Sequence, residues 1–315
     1  MTKAFLFPGQ GSQFIGMGKE LANQFDSARD VFLEVDDALG EKLSELIFEG
    51  DIKELTLTKN AQPAIMAVSI AIFRVMLANG MDLKAIDLFA GHSLGEYSAL
   101  CASEAISLKD TSLILRKRGL AMQKAVPEGL GSMVAIIGMT SEVVNEFMIM
   151  SKCDGRLIQI ANDNDPSQVV ISGEKKEVEK FILFLKQKKP KRIIDLPVSA
   201  PFHSPLMKEA AFKMEAELKK VKMSIPIVPI IQNVDLHVLN STDGLVDRLV
   251  QQICGTVRWR ESLIKMADSF GVSTFFEVGP GKVLAGTVKR TIPNSNVLSV
   301  GLASQIDEAL EIINE

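Results

Sequence analysis

The sequence predicts an α/β protein: a mostly parallel sheet covered by helices on both faces, with a smaller unit inserted into it. Three observations point there. The chain opens strand, loop, helix, with residues 3–7 a short apolar run halted at Pro8-Gly9-Gln10-Gly11. A second apolar run, residues 86–90, leads through Gly91-His92-Ser93-Leu94-Gly95 toward an apolar helical stretch. Strands that alternate with helices in this way form a sheet buried on both faces. Between Pro127 and Ser199 the order changes to βαββαβ, the split βαβ or ferredoxin-like pattern of a compact unit of its own.

Taken in order, residues 26–79 carry apolar side chains at helical spacing, with Thr58, Asn60 and Pro63 punctuating the segment before a long apolar helix. The strand at 86–90 follows, then a helix over 96–105. Ser107 with Asp110 three residues later forms a capping-box pattern that opens another helix, ending near Val126. The inserted unit reads as strand 132–138, helix 141–151, strands 156–160 and 168–172, helix 174–187 and strand 192–198. Its Pro/Gly-rich flanks, 127–131 and 197–201, read as hinges. The tail returns to the first pattern: a helix from 205 to about 221, strands near 227–233 and at 274–278, the turn Gly279-Pro280-Gly281 and a last helix. The expected division is a core of 1–126 with 199–315, and an inserted unit of 127–198.

A chain of 315 residues, 47% hydrophobic, can bury a sizeable core. Its formal charge of -4 argues against holding nucleic acid through phosphate neutralisation, which needs a net basic face. The three cysteines, Cys101, Cys153 and Cys254, are far apart and show neither zinc nor disulfide spacing, so a reducing compartment is expected. The N-terminal apolar stretch is too short for a signal-peptide core. The longest apolar run, residues 64–73, stops at Arg74, short of the roughly 20 residues of a membrane span. The expectation is a cytoplasmic protein with no membrane or nucleic-acid partner. After Gly9 and Gly11 the third position of a dinucleotide fingerprint is Phe14, and no Walker lysine follows, so phosphate cradling is not expected and no cofactor is implied.

A Gly-x-Ser-x-Gly between strand and helix reads as a nucleophile elbow, in which small flanking residues let a strained turn expose the serine hydroxyl. Ser93 is therefore either a nucleophile, with the helix N-terminus behind it favouring a developing oxyanion, or a structural turn serine. A serine hydroxyl needs a base, usually histidine, and the chain has three. His92 adjoins Ser93 and should point to the other side of the turn. His237, in VDLHVLN, carries no other signal. His203, in PVSAPFHSPLM, precedes a helix start that Ser204 can cap and Pro205 can open. A helix N-terminus disfavours imidazolium and helps keep a ring neutral and able to accept a proton near pH 7; a hydrogen-bonded loop histidine is the alternative. No acidic residue between Ser93 and His203 announces itself as a third triad member, which leaves a Ser/His pair with the imidazole oriented by a carbonyl.

The motifs FPGQGSQ, GHSLGEY, QKAVPEGLGSM, PVSAPFH and EVGPGKVL, in this order, resemble the malonyl-CoA:acyl carrier protein transacylases of bacterial fatty-acid synthesis. The resemblance spans nearly the whole chain. It implies an α/β-hydrolase-like core carrying the ferredoxin-like insertion, Ser93 as nucleophile and His203 as base. It further implies backbone amides of Gln10 and Leu94 as the oxyanion hole, with Arg118 gripping the free malonyl carboxylate. Gln252 matches the glutamine whose segment orients the histidine, although Cys254-Gly255-Thr256 stands where the family often has an aromatic residue and Asn-Pro. Asn162, in ANDNDP, matches an asparagine near the cleft; a turn residue is its other reading. Helical periodicity does not separate Lys117 from Arg118; only the resemblance prefers the arginine.

The implied reaction moves a malonyl group from coenzyme A to the phosphopantetheine thiol of acyl carrier protein by a ping-pong route, in a monomer without metal. Carrier proteins of this kind are acidic, and Lys186, Lys188, Lys189, Lys191 and Arg192 offer a local basic cluster for docking, or a merely solvated helix end. Other readings stay open. The same residues could serve a hydrolase with water as acceptor, or a polyketide-pathway transferase, of malonyl type by its Phe202 before His203. A non-catalytic scaffold that binds a partner through the inserted unit is the third.

Overall fold

The structure, a computed structural model, describes residues 2–198 and 200–315. Strand β1 (Thr2–Phe7) is followed by helices α1 (Lys19–Gln24), α2 (Asp26–Leu39), α3 (Leu43–Glu49), α4 (Ile52–Thr56) and α5 (Thr58–Ala78), then β2 (Leu88–Gly91), α6 (Leu94–Ala102) and α7 (Leu108–Lys124). Next come β3 (Gly131–Ile137), α8 (Ser141–Met150), β4 (Ile158–Asp165), β5 (Gln168–Glu174), α9 (Lys175–Lys186) and β6 (Arg192–Asp195). The chain closes with α10 (Lys208–Leu218), β7 (Ile230–Ile231), β8 (Val238–Leu239), α11 (Leu245–Cys254), α12 (Trp259–Phe270), β9 (Val272–Val278), α13 (Val283–Thr291), β10 (Asn296–Val300) and α14 (Ile306–Asn314).

The main sheet runs β10-β9-β1-β2-β7-β8 and is parallel except for the β7–β8 pair. Alternation along β1 feeds two cores. Phe5 and Phe7 face the helical layer around α5, where Phe5 stacks on Phe89 and meets Phe73 and Phe276 edge-on. Ala4 and Leu6 face Trp259, Leu263 and Leu284 on the other side. A strand buried on both faces must be apolar throughout, which is why this one reads as an uninterrupted run.

The second sheet, β4-β5-β3-β6, is wholly antiparallel, with α8 and α9 covering it through a separate apolar cluster that includes Val144, Val178 and Phe181. This is the ferredoxin-like order expected from βαββαβ. The boundary expected at 198/199 falls against Ser199, which lies outside the described residues.

Several sequence expectations change. Helix α5 is 21 residues long and contains an 18-residue window with a mean hydropathy of 1.7, so it is long and apolar enough to cross a membrane, although residues 64–73 alone are not. Most of it is buried inside the protein, so its apolar surface is consumed by core packing. The strand expected over 227–233 shrinks to Ile230–Ile231, because β7 turns back antiparallel into β8. The turn Gly279-Pro280-Gly281 leads into α13, but the chain then adds the edge strand β10 and α14. Strand β4 continues through the Asn/Asp-rich segment, which composition marks as a turn. Register shifts at Ile160/Asn162 and Asp163/Asp165 bend it, and Asn162 bridges to Val257. Asp163 and Asp165 are ion-paired to Arg260 and Arg290 of the core helices, so tertiary partners override the local turn preference.

Candidate active site

The elbow is built where β2 meets α6. Ser93 sits between them at φ 53°, a left-handed conformation that costs a non-glycine residue strain. Its flanking glycines are required by contact. A Cβ on Gly95 would lie 2.1 Å from the Phe7 carbonyl oxygen, and one on Gly91 would lie 1.9 Å from Gly95 itself. The start of α6 can therefore press against the end of β1 only with hydrogen at both positions. Asn233 clamps the turn, its Oδ1 accepting from Ser93 N at 2.8 Å and its Nδ2 donating to Gly91 O at 2.8 Å.

His203 meets this serine. Its Nε2 lies 2.7 Å from Ser93 Oγ, and its Nδ1 donates to the Gln252 carbonyl at 2.7 Å. A carbonyl can only accept, so it holds the proton on Nδ1 and leaves the Nε2 lone pair facing the hydroxyl. The ring is only 4% exposed; burial, and then the Arg118 charge, drive its pKa down to about 3. Burial therefore carries the neutrality that the sequence assigns to a helix N-terminus. Ser204 does cap the turn that follows, which Pro205 opens, but that turn is a short 3-10 segment. Gln159 Nε2 bridges the carbonyls of His203 and Cys254 at 2.7 Å each, fixing the backbone of both segments.

Burial separates the two adjacent cations on α7. Lys117 is exposed and pairs with Glu217, whereas Arg118 is 1% exposed at the floor of the site. Arg118 donates from Nη1 to Gln62 Oε1 at 2.7 Å, and from Nη2 to Gln252 Oε1 at 2.8 Å and Ser93 Oγ at 3.2 Å. It lies over the Tyr97 ring, and its buried Nε has no partner. A buried guanidinium held by amide oxygens, with an unfilled donor, is suited to a carboxylate brought in by a ligand.

Ser93, His203, Arg118 and Gln62 line one cavity of about 190 Å³, which Gln10, Leu94 and Asn162 also line. Gln10 turns its side chain toward Thr58. Gly9 lies so close to His92 that a Cβ there would be 2.7 Å from the His92 carbonyl oxygen. Asn162 is buried on β4 rather than in a turn. His92 also lines the cavity, but it packs edge-on against Trp259 and bonds Asn164 Oδ1 at 2.9 Å rather than Ser93 Oγ. His237 remains in the loop before β8, outside the cavity. The basic cluster lies exposed between α9 and β6, with Lys188 Nζ above the Phe147 and Phe184 rings. A larger groove of about 770 Å³ lies between α8 and α12, but its charged residues pair among themselves or with neighbours, Arg258 with Glu261 and Arg260 with Asp163 and Glu142.

Sequence reasoning missed Gln62, Glu96, Gln159 and Asn233. Glu96 had a signal, as the one charged residue of the apolar helix α6; Gln62, Gln159 and Asn233 had none, because their partners come from distant segments.

Residues 4–309 match the acyl transferase domain family. The chain is 46% identical over 312 residues to the malonyl CoA-acyl carrier protein transacylase of Bacillus subtilis (strain 168), covering 99% of this chain and 97% of that protein. It superposes on the crystal structure of acyl-carrier-protein-S-malonyltransferase from Bartonella henselae with a TM-score of 0.96 and 52% identity, each chain covered completely. A malonyl-transacylase solved in complex with its type II PKS acyl-carrier protein gives a TM-score of 0.95 at 38% identity, with 99% of this chain and 100% of that chain covered. With its elbow serine, its neutral histidine and its buried arginine in one cavity, the chain belongs to the malonyl CoA-acyl carrier protein transacylase family of acyl transferases.

Proposed function

We propose that this enzyme transfers a malonyl group from coenzyme A to acyl carrier protein through a malonyl ester on Ser93. The observation that carries this reading is the convergence on one hydroxyl: Ser93 Oγ has His203 Nε2 at 2.7 Å and Arg118 Nη2 at 3.2 Å. Ser93 Oγ attacks the thioester carbonyl while its proton passes to His203 Nε2. The carbon–sulfur bond breaks, and His203 returns the proton to the departing coenzyme A thiolate. The phosphopantetheine thiol of the carrier then gives its proton to His203 and attacks the ester, restoring the Ser93 hydroxyl. Main-chain amides of Gln10 and Leu94 hold the oxyanion in both halves, Arg118 holds the free carboxylate, and the Gln252 carbonyl orients the base. Asn162 completes the cleft wall.

The protein acts as a cytoplasmic monomer in this reading, with 127–198 an inserted unit between Pro/Gly-rich hinges. Turnover of malonyl-CoA is expected to depend on a carrier thiol and to yield malonyl-carrier protein. Equal release of coenzyme A without thiol would instead identify a hydrolase. A polyketide carrier is the second candidate acceptor, supported by the complex described above. Side-by-side transfer to a fatty-acid and a polyketide carrier separates the two.

The carrier docks at Lys186, Lys188, Lys189, Lys191 and Arg192. Most surface charge contributes to association rate rather than to the chemistry. Charge reversal of Lys188 and Lys189 together is therefore expected to raise KM for the carrier several-fold and to leave KM for malonyl-CoA unchanged; equal effects on both substrates would move the docking surface elsewhere.

A further inference from the structure

We propose that Glu96 is the positioning residue of this site, a buried carboxylate that holds the nucleophile turn, the histidine's acceptor and the arginine in register. The inference rests on the roles given above to Ser93, His203 and Arg118. Glu96 lies three residues beyond Ser93 on α6 and is 1% exposed. Its Oε1 accepts from Gln232 Nε2 at 3.1 Å; its Oε2 accepts from Asn233 N at 3.1 Å and Gln252 Nε2 at 2.7 Å.

Two of those partners reach the reacting groups directly. Asn233 grips Ser93 N and Gly91 O, one on each side of the turn. Gln252 presents its carbonyl to His203 Nδ1 and its Oε1 to Arg118 Nη2. A carboxylate only accepts, so it fixes the Gln252 amide with nitrogen toward Glu96 and oxygen toward Arg118. A glutamine at 96 would present an NH₂ to one of these donor sets and could reverse that orientation. Acceptor chemistry at residue 96 is thus transmitted to every reacting group through one intervening residue.

The groups facing Glu96 are Arg118 from α7, Tyr97 on its own helix, Gln232 and Asn233 from the segment after β7, and Gln252 from α11. Burial outweighs these donors and the Arg118 charge, pushing the Glu96 pKa up to about 7. Ionisation of Glu96 therefore falls near neutral pH, and the ionised form is the one its three donors match. A carboxyl raised in the fold contributes stability below its ordinary value of 4.5 and loses it as pH rises through about 7. Positioning and stability consequently run in opposite directions with pH.

The test measures malonyl-serine formation on the full-length enzyme by rapid quench and intact mass, across about pH 5.5 to 9, with thermal midpoints recorded alongside. Wild type is expected to accelerate through about pH 7. Glu96→Gln is expected to be roughly ten- to a hundredfold slower at pH 8, with no such limb and a thermal midpoint close to wild type. A rate within about twofold of wild type, or a limb that persists in Glu96→Gln, overturns the proposal. Glu96→Asp keeps the charge on a shorter stem and is expected to keep the limb with its midpoint displaced; an undisplaced midpoint overturns the proposal even if Glu96→Gln does not fold. Absence of any adduct on wild type would remove the Ser93 reading and this proposal together, whereas an adduct with an insensitive residue 96 removes this proposal alone.

Discussion

Mixing the enzyme with malonyl-CoA is expected to add one malonyl group to the intact mass, and Ser93→Ala is expected to show none. The expectation follows from the left-handed elbow, which sets the hydroxyl in the cavity lining, 2.7 Å from an imidazole nitrogen. An adduct that survives in Ser93→Ala would refute the assignment. His203→Ala keeps the hydroxyl but removes its proton acceptor, and adduct formation is expected to slow by about 10² to 10⁴. The residual rate is expected to be what the proposed oxyanion amides and binding supply, since alanine leaves both in place. Because the His203 pKa lies near 3, the imidazole contributes no limb close to 6.5 to the pH profile of acylation. Its effect on stability has the opposite sign to that of Glu96. A base depressed in the fold contributes stability above its ordinary value of 6.5 and loses it as pH falls toward about 3. His203→Gln is therefore expected to flatten the acid side of the stability curve, and an unchanged acid slope would count against a buried neutral ring.

Arg118→Ala is expected to change which acyl group is accepted. A two-point guanidinium–carboxylate contact in a buried cavity is worth about 3 kcal/mol, or roughly a hundredfold in kcat/KM. That loss should fall on malonyl-CoA and spare acetyl-CoA, so the malonyl-to-acetyl preference collapses by about the same factor. Parallel losses on both thioesters would mean that Arg118 only supports the cavity, through Gln62 and Gln252. Arg118→Lys should fall between the two, since an ammonium keeps the charge and loses the fork. Lys117→Ala is expected to leave both substrates unaffected, because its charge is spent on Glu217 at the surface.

Much of this was legible in the chain. The elbow could be read from Gly91, Ser93 and Gly95, since the need for hydrogen at two positions is written into residue type. The Ser107 cap was likewise local, its Oγ accepting from Asp110 N. Strand β10 was not legible: it is a short edge strand that pairs only with β9 and carries no strong pattern of its own. Nor was the extension of β4 through Asn162, where the segment's turn composition is overruled by Val257, Arg260 and Arg290 arriving from the other side of the chain.

The sequence by itself determined the alternation of strands and helices, the inserted βαββαβ order, the strained serine turn and the family, because these depend on periodicity, residue size and motifs within short windows. Only the tertiary structure shows how His203 reaches a hydroxyl 110 residues away, that Arg118 is buried beside an exposed Lys117, and that Asn233, Gln252 and Glu96 join into one network. The physical reason is that dielectric, burial and hydrogen-bond geometry belong to the packed assembly of distant segments, and a side chain acquires them only where the fold places it.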